Sequence, residues 1–311
     1  MIKDKLKGCL YGFAIGDALG LGTVFMTRRE ASIRYPQGLT SFDQIIKDAH
    51  RNLYSLGEYS NCTNYVLMMA ESMIESSGLD SSDYARRLKN WYTSEYRSDV
   101  GANMRWIVGH PDFTKDPYTI SKKIQEAHHY RDSSNEALGR ALIAGLWPEY
   151  DEDKILRNTD LTNWGSISDA CAAVISAMSH SLFRHNCEMD FQVLVDIAQR
   201  INPEIIPYLE VAADGNLDEL DLDDEDTSTC APKALAAALW GLWHHTDNPA
   251  DVLRKVISHG GDANTTGALT FALLGLKYGF SALPDNLTNE IQGKERIDEI
   301  VEKLHPILNE H

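Results

Sequence analysis

Two short polar clusters stand directly before long apolar stretches: Ser60-Asn61-Cys62-Thr63 ahead of YVLMMAESM, and Gly260-Gly261-Asp262-Ala263-Asn264-Thr265-Thr266 ahead of ALTFALLGL. Both read as helix starts. Such starts expose N–H groups without intrahelical partners and carry positive dipole charge. Hydroxyl, amide and carboxylate side chains gathered there can therefore hold phosphate, water or metal. The same residue types also serve as ordinary N-caps, which is the plainer account of either cluster alone. A third cluster, Ser133-Ser134-Asn135-Glu136, precedes ALGRALIAGL, and Arg140 one turn on is placed to pair with a carboxylate. A fourth, Gly16-Asp17-Ala18-Leu19-Gly20, closes the first apolar stretch.

The elements that must position these clusters are helical, since 3.6-residue periodicity dominates and strand-like alternation is scarce. In the first stretch Leu6, Leu10 and Phe13 recur at helical spacing, while Gly8, Gly12, Gly16 and Gly20 form a neighbouring stripe at four-residue intervals. Such a stripe admits another backbone at close range. Asp17 and the short length argue against a membrane-helix reading of the repeat. A second helix is expected from an N-cap at Ser60 to a stop at Gly78. Further helices are expected at Ser82–Tyr96, Thr119–His129, Ser166–Phe183, Pro232–His244 and Pro249–His259, followed by a long buried helix through ALTFALLGLKYG. The most polar run, Asp218 to Ser228, reads as a solvated surface loop. It lacks the glycine and terminal glutamate of an EF-hand. With no Pro- or Gly-rich linker and no fixed-period repeat, one all-α domain over residues 1–311 is the simplest account.

Composition narrows the function classes. Of 311 residues, 29 are Lys or Arg and 46 are Asp or Glu, a net charge of −17 that would repel nucleic-acid phosphates. Cys9, Cys62, Cys171, Cys187 and Cys230 are odd in number, widely spaced and without a C-x-x-C pair, so they read as free thiols in a reducing compartment. No uninterrupted apolar run approaches the ~18 residues that suggest a membrane span. A soluble cytoplasmic protein is expected, without nucleic-acid or membrane partners.

The order of the four clusters resembles the ADP-ribosylglycohydrolase family over about residues 6 to 280. GCLYGFAIGDALG is similar to the family's opening G-x-x-x-G-x-A-x-G-D-A-L-G, and GGDANTTGALTFALLGLKYG to its closing G-G-D-x-D-T segment and helix. SNEALGRALIAGL and PKALAAALWGL fall between them in matching order. The resemblance implies a multi-helix bundle and a site that usually holds two Mg2+ ions. It also marks departures. Thr-Asp-Asp-Thr is usual where this chain has Ser60-Asn61-Cys62-Thr63, the second aspartate of the closing motif is Asn264, and a hydrolytic glutamate corresponds to Val24. A histidine frequent in the family aligns with Asn163.

Against the four positive charges of two Mg2+ ions, the motif positions retain one carboxylate, Asp262. Asn61 and Asn264 offer neutral carbonyls and Cys62 a soft sulfur, which hard cations disfavour. About three unbalanced charges in a partly dry cleft cost several kcal/mol, so no metal cofactor is expected. Altered chemistry is an alternative. Cys62 near a helix N-terminus has the placement that lowers a thiol pKa, and His259 could serve it as a base or join Cys62 and Asp262 on a soft metal. The histidine pairs His128-His129 and His244-His245 do not form clamps, because adjacent helical side chains diverge. Trp240, Trp243 and Tyr278 read as packing residues rather than a base-stacking platform.

Two main readings follow. In the first, Asp17, Ser60, Thr63, Asn135, Asp262 and Thr265 bind an ADP-ribose-like ligand or an ADP-ribosylated protein, without ordinary Mg2+-dependent hydrolysis, as a pseudoenzyme would. In the second, the protein is a hydrolase of an N- or O-glycosidic ADP-ribosyl or nucleoside bond, with Asp262 as general base. A regulatory contact through the acidic run at Asp218–Asp226 is a third reading.

Overall fold

The computed structural model describes residues 2–94, 100–127, 133–244 and 248–309. The expected helix end at Tyr96 and the histidines His128, His129 and His245 lie outside them. Within the described residues the chain is all-α. Its helices are α1 (Ile2–Gly20), α2 (Arg28–Arg34), α3 (Asn61–Ser76), α4 (Ser81–Thr93), α5 (Ala102–Ile107), α6 (Pro117–Ala127), α7 (Leu138–Ala144) and α8 (Glu152–Asp160). They continue with α9 (Ser166–His180), α10 (Phe191–Ile201), α11 (Ile206–Asp214), α12 (Ala231–Trp243), α13 (Pro249–Ile257), α14 (Ala263–Tyr278), α15 (Asp285–Glu290) and α16 (Lys294–Asn309). No strand forms among the described residues, only an isolated antiparallel bridge between Ser134 and Cys230.

The central pair is α1 against α14, and the glycine stripe makes it. A Cβ at Gly8, Gly12, Gly16 or Gly20 would collide with the backbone of Gly275, Phe271, Gly267 or Ala263 respectively. The pairing descends along one helix as it climbs the other, so the two run antiparallel in backbone contact. That register sets the C-terminal end of α1, with Asp17, beside the N-terminal end of α14, with Asp262 and Asn264. Both helices are buried almost throughout, and one apolar core reaches from Leu6 to Leu308.

Local capping sets the remaining site elements. Ser60 caps α3 by accepting from Cys62 N at 3.2 Å, and the helix stops at Ser77 in the left-handed conformation, one residue before the expected Gly78. Gly260 and Gly261 take φ of +76° and +61° ahead of α14, and a side chain at either would also strike the backbone of Met26 or Leu222. The Ser133–Asn135 turn is clamped by Asn135 N donating to Thr229 O at 2.9 Å and Ala231 N to Ser133 O at 2.7 Å. No helix among the described residues is long and apolar enough to cross a membrane.

Candidate functional site

The starts of α3 and α14, the end of α1 and the Asn135 turn converge on one cleft of about 420 Å³, within the range of small-molecule sites. Ser60, Asn61, Cys62, Asn135, Asp262, Asn264 and Thr265 line it. Asp17 and Thr63 stand behind the wall, fully buried. There Asp17 Oδ2 accepts from Ser60 N at 3.0 Å, Thr63 N at 3.1 Å and Thr63 Oγ1 at 2.7 Å. This carboxylate therefore satisfies N–H groups at the start of α3 that the helix leaves open.

Amide donors face both aspartates. Asn264 Nδ2 donates to Asp17 Oδ1 at 3.3 Å and Ser60 Oγ at 3.2 Å, and lies 3.7 Å from Cys62 Sγ. Asn135 Nδ2 donates to Asp262 Oδ2 at 2.6 Å. An amide oxygen turned toward either carboxylate would set acceptor against acceptor, so the donor orientation follows from the network. Burial raises the Asp17 pKa against the pull of its hydrogen bonds. Burial, with help from the Asp17 charge, pushes Asp262 up to about 6, while bonds from Asn135 and Thr265 hold it back.

The structure corrects the cysteine alternative. Cys62 Sγ lies 3.3 Å from Thr265 Oγ1, and burial, with the charges of Asp17 and Asp262, drives its thiol well above the ordinary range. Burial first, and then the two acids, act against the thiolate that a helix start would favour. His259 belongs to a different pocket, where Nε2 meets Asp218 Oδ1 at 3.0 Å and Nδ1 meets Lys255 O at 2.9 Å. Cys62 and His259 do not form a nucleophile–base pair. Among the described residues Arg140 pairs with no carboxylate in hydrogen-bond range; it is buried, donating to Asn158 O at 3.2 Å and Thr159 O at 3.1 Å. Asn163 holds the turn from behind, donating to Ser134 O at 3.0 Å. Val24 lines the cleft in an apolar cluster with Leu21 and Tyr54.

The remaining aromatic and acidic segments stand apart from the cleft. Trp240 is buried, stacked on His244 and covered by the Lys255 ammonium 4.4 Å from its ring; Trp243 meets Phe191 edge-on. Tyr278 ends α14, roughly 24 Å along the helix from Asp262. In the acidic run, Asp218 pairs with Arg28 at 2.8 Å, Asp224 lies 3.7 Å from Lys233, and Leu217, Leu220 and Leu222 are buried. That run is thus partly anchored rather than wholly solvated.

Sequence reasoning missed the aromatic wall of Phe25, His50 and Tyr54, together with Tyr65, Asn103 and Arg105, all on the cleft lining. Most sit outside the polar helix starts, and only the i, i+4 spacing of His50 and Tyr54 hinted at a shared face. Glu136 also lines the cleft, accepting from Ser134 Oγ at 3.3 Å.

The ADP-ribosylglycohydrolase family profile matches residues 1–310. The chain belongs to the ADP-ribosylglycohydrolase family. Among similar family members is the ADP-ribosylarginine hydrolase Tri1 of Serratia proteamaculans, 26% identical over 97% of this chain and 79% of that protein. The ADP-ribosyl-[dinitrogen reductase] glycohydrolase of Rhodospirillum rubrum is 25% identical over 94% of this chain and 92% of its own length. A solved structure described as an ADP-ribosylglycohydrolase-related protein complex shares the fold, with a TM-score of 0.71, 21% identity and 99% of both chains covered. Among the described residues of this ADP-ribosylglycohydrolase-family chain, no three His, Cys, Asp or Glu side chains gather closely enough to hold an ion.

Proposed function

We propose that the protein binds an ADP-ribose-like ligand, free or carried on a modified protein, without the dinuclear Mg2+ chemistry that its family resemblance implies. One observation carries this reading: the two aspartates, Asp17 near the end of α1 and Asp262 at the start of α14, are already met by amide donors, Asn264 on Asp17 and Asn135 on Asp262. Each amide N–H takes up acceptor capacity on a carboxylate that a cation would otherwise use. The other side chains at the motif positions are hydroxyls, amides and a thiol, a donor set that does not fit a pair of hard divalent ions. The positive dipole charge at the two helix starts favours a diphosphate without metal, although Asp17 and Ser60 already take the Ser60, Thr63 and Cys62 N–H groups at α3. Tyr65, on the same lining, adds a buried hydroxyl with no hydrogen-bond partner among the described residues.

A second reading, hydrolysis by Asp262 as general base, has one specific observation behind it. With its pKa pushed up to about 6, Asp262 is a better proton acceptor than an ordinary aspartate and is still ionised at neutral pH. The two readings separate on ADP-ribosylarginine supplied with Mg2+. The binding reading expects no more ADP-ribose released by the wild type than by Asp262→Asn. Release by the wild type, abolished in Asp262→Asn, would establish the hydrolase instead.

A further inference from the structure

Arg105, on α5, is the one Lys or Arg side chain among the described residues that line the cleft. It is exposed, and among the described residues its guanidinium has no carboxylate, hydroxyl or carbonyl partner. Arg51 and Arg140 differ in this respect. Both are buried and spent on the fold, Arg51 donating to Gly22 O at 2.8 Å and Val24 O at 2.7 Å, Arg140 to the carbonyls of Asn158 and Thr159. The short helix that carries Arg105 is itself well anchored: Met104 and Ile107 are buried in the core, Asn103 Nδ2 donates to Thr162 O at 2.8 Å, and Gln125 Nε2 donates to Asn103 Oδ1 at 2.9 Å. Arg105 is thus held at the cleft with its N–H donors unspent. Glu136 and Asp262 are the carboxylates on the same lining, and Asp17 stands behind it. An anionic ligand meets repulsion from these acids, and the N–H groups at the start of α3 are already bonded to Asp17 and Ser60.

Resting on the reading that the cleft takes an ADP-ribose-like ligand, we propose that Arg105 is the residue that anchors the ligand's diphosphate. Charge decides which part of the ligand it meets: at neutral pH the diphosphate is the charged part of ADP-ribose, while the adenine and both riboses are neutral. A guanidinium presents a planar fork that matches two phosphate oxygens at once, and such charge-assisted bonds are about twice as strong as neutral ones. Arg105 then supplies, against Glu136 and Asp262, the positive charge that a diphosphate needs where no metal supplies it. Because the side chain is exposed, its attraction is screened by salt.

The test is a calorimetric titration of ADP-ribose in EDTA, at about 50 mM and about 300 mM NaCl, on the wild type, Arg105→Gln and Arg105→Glu. At the lower salt Arg105→Gln is expected to bind about tenfold more weakly than the wild type, and Arg105→Glu more weakly still. The wild type should lose affinity as salt rises, and Arg105→Gln should lose much less. Without ligand, Arg105→Gln should melt at the wild-type temperature, since the side chain holds nothing in the fold. Equal affinity in Arg105→Gln, an unchanged salt dependence, or an Arg105→Glu that binds no more weakly than Arg105→Gln would overturn the anchor alone. A lower melting temperature in ligand-free Arg105→Gln would also overturn it, by assigning the guanidinium to the fold. Failure of the wild type to bind ADP-ribose would overturn the underlying ligand reading, and this one with it.

Discussion

Asn264 donates to Asp17 Oδ1 and Ser60 Oγ from a position that is 7% exposed, so an aspartate there would bring a second charge into contact with a buried carboxylate. Like charges at that range are costly unless a cation joins them. Asn264→Asp is therefore expected to melt lower than the wild type in EDTA and to recover as Mg2+ is added, with no such recovery in the wild type. An equal Mg2+ response from both would count against the donor-filled site. Cys62, its thiol pushed up, should resist iodoacetamide at neutral pH in the folded protein while exposed Cys187 is alkylated, read by mass spectrometry of the digested chain. Rapid labelling of Cys62 would contradict the electrostatics of the cleft. Asp169 supplies a pH test away from the site. Burial, and then the charge of Asp160, push it up to about 8, and its Oδ1 has no hydrogen-bond partner among the described residues. Because the folded pKa exceeds the unfolded value of about 3.9, its favourable contribution is complete at acid pH and is lost as pH rises toward 8. Asp169→Asn should thus gain melting temperature over the wild type progressively from pH 4 to pH 8. A difference that stays constant with pH would refute this.

The α1–α14 pair is where sequence pattern and packing correspond most directly. Glycine is a poor helix former, about 1 kcal/mol worse than alanine, so Gly16→Ala would stabilise an isolated α1. In the folded protein the new Cβ meets the backbone of Gly267, which cannot move as a side chain could. Gly16→Ala is expected to lower stability by about 1–3 kcal/mol, seen as a lower urea midpoint. A raised midpoint would show that the helices do not touch at this register. The same pair explains what was legible beforehand: a four-residue glycine stripe and a capped apolar run are local signals, and each was read at its correct place. Helix ends were less legible. The expected Ser166–Phe183 helix gives way after His180 to a wider π turn at Ser181–His185, and Pro249–His259 ends at Ile257. The strongly amphipathic α10, capped by Asp190, and the long α16 were not singled out, because neither carries a polar cluster that drew attention to chemistry.

Across the whole molecule, several separated stretches of chain supply one cleft, and this long-range assembly is what the sequence conceals. The polar helix starts could be found by residue type, since capping and ligand binding use the same side chains. Which of them faces the cleft could not: Asp17 and Thr63 turn behind the wall to hold α3, while Phe25 and Tyr54, with no polar signature, form part of the lining. His259 shows the converse, near Asp262 in sequence yet paired with Asp218 in another pocket. The −17 charge is carried mainly on the surface and leaves the cleft with few acids, consistent with a site built from donors rather than from metal-binding carboxylates. Isothermal titration with Mg2+, then with ADP-ribose in EDTA and in excess Mg2+, tests this most directly. The account predicts no micromolar Mg2+ binding and the same ADP-ribose affinity in both buffers. Two Mg2+ ions bound per chain, with ADP-ribose affinity that depends on them, would contradict it.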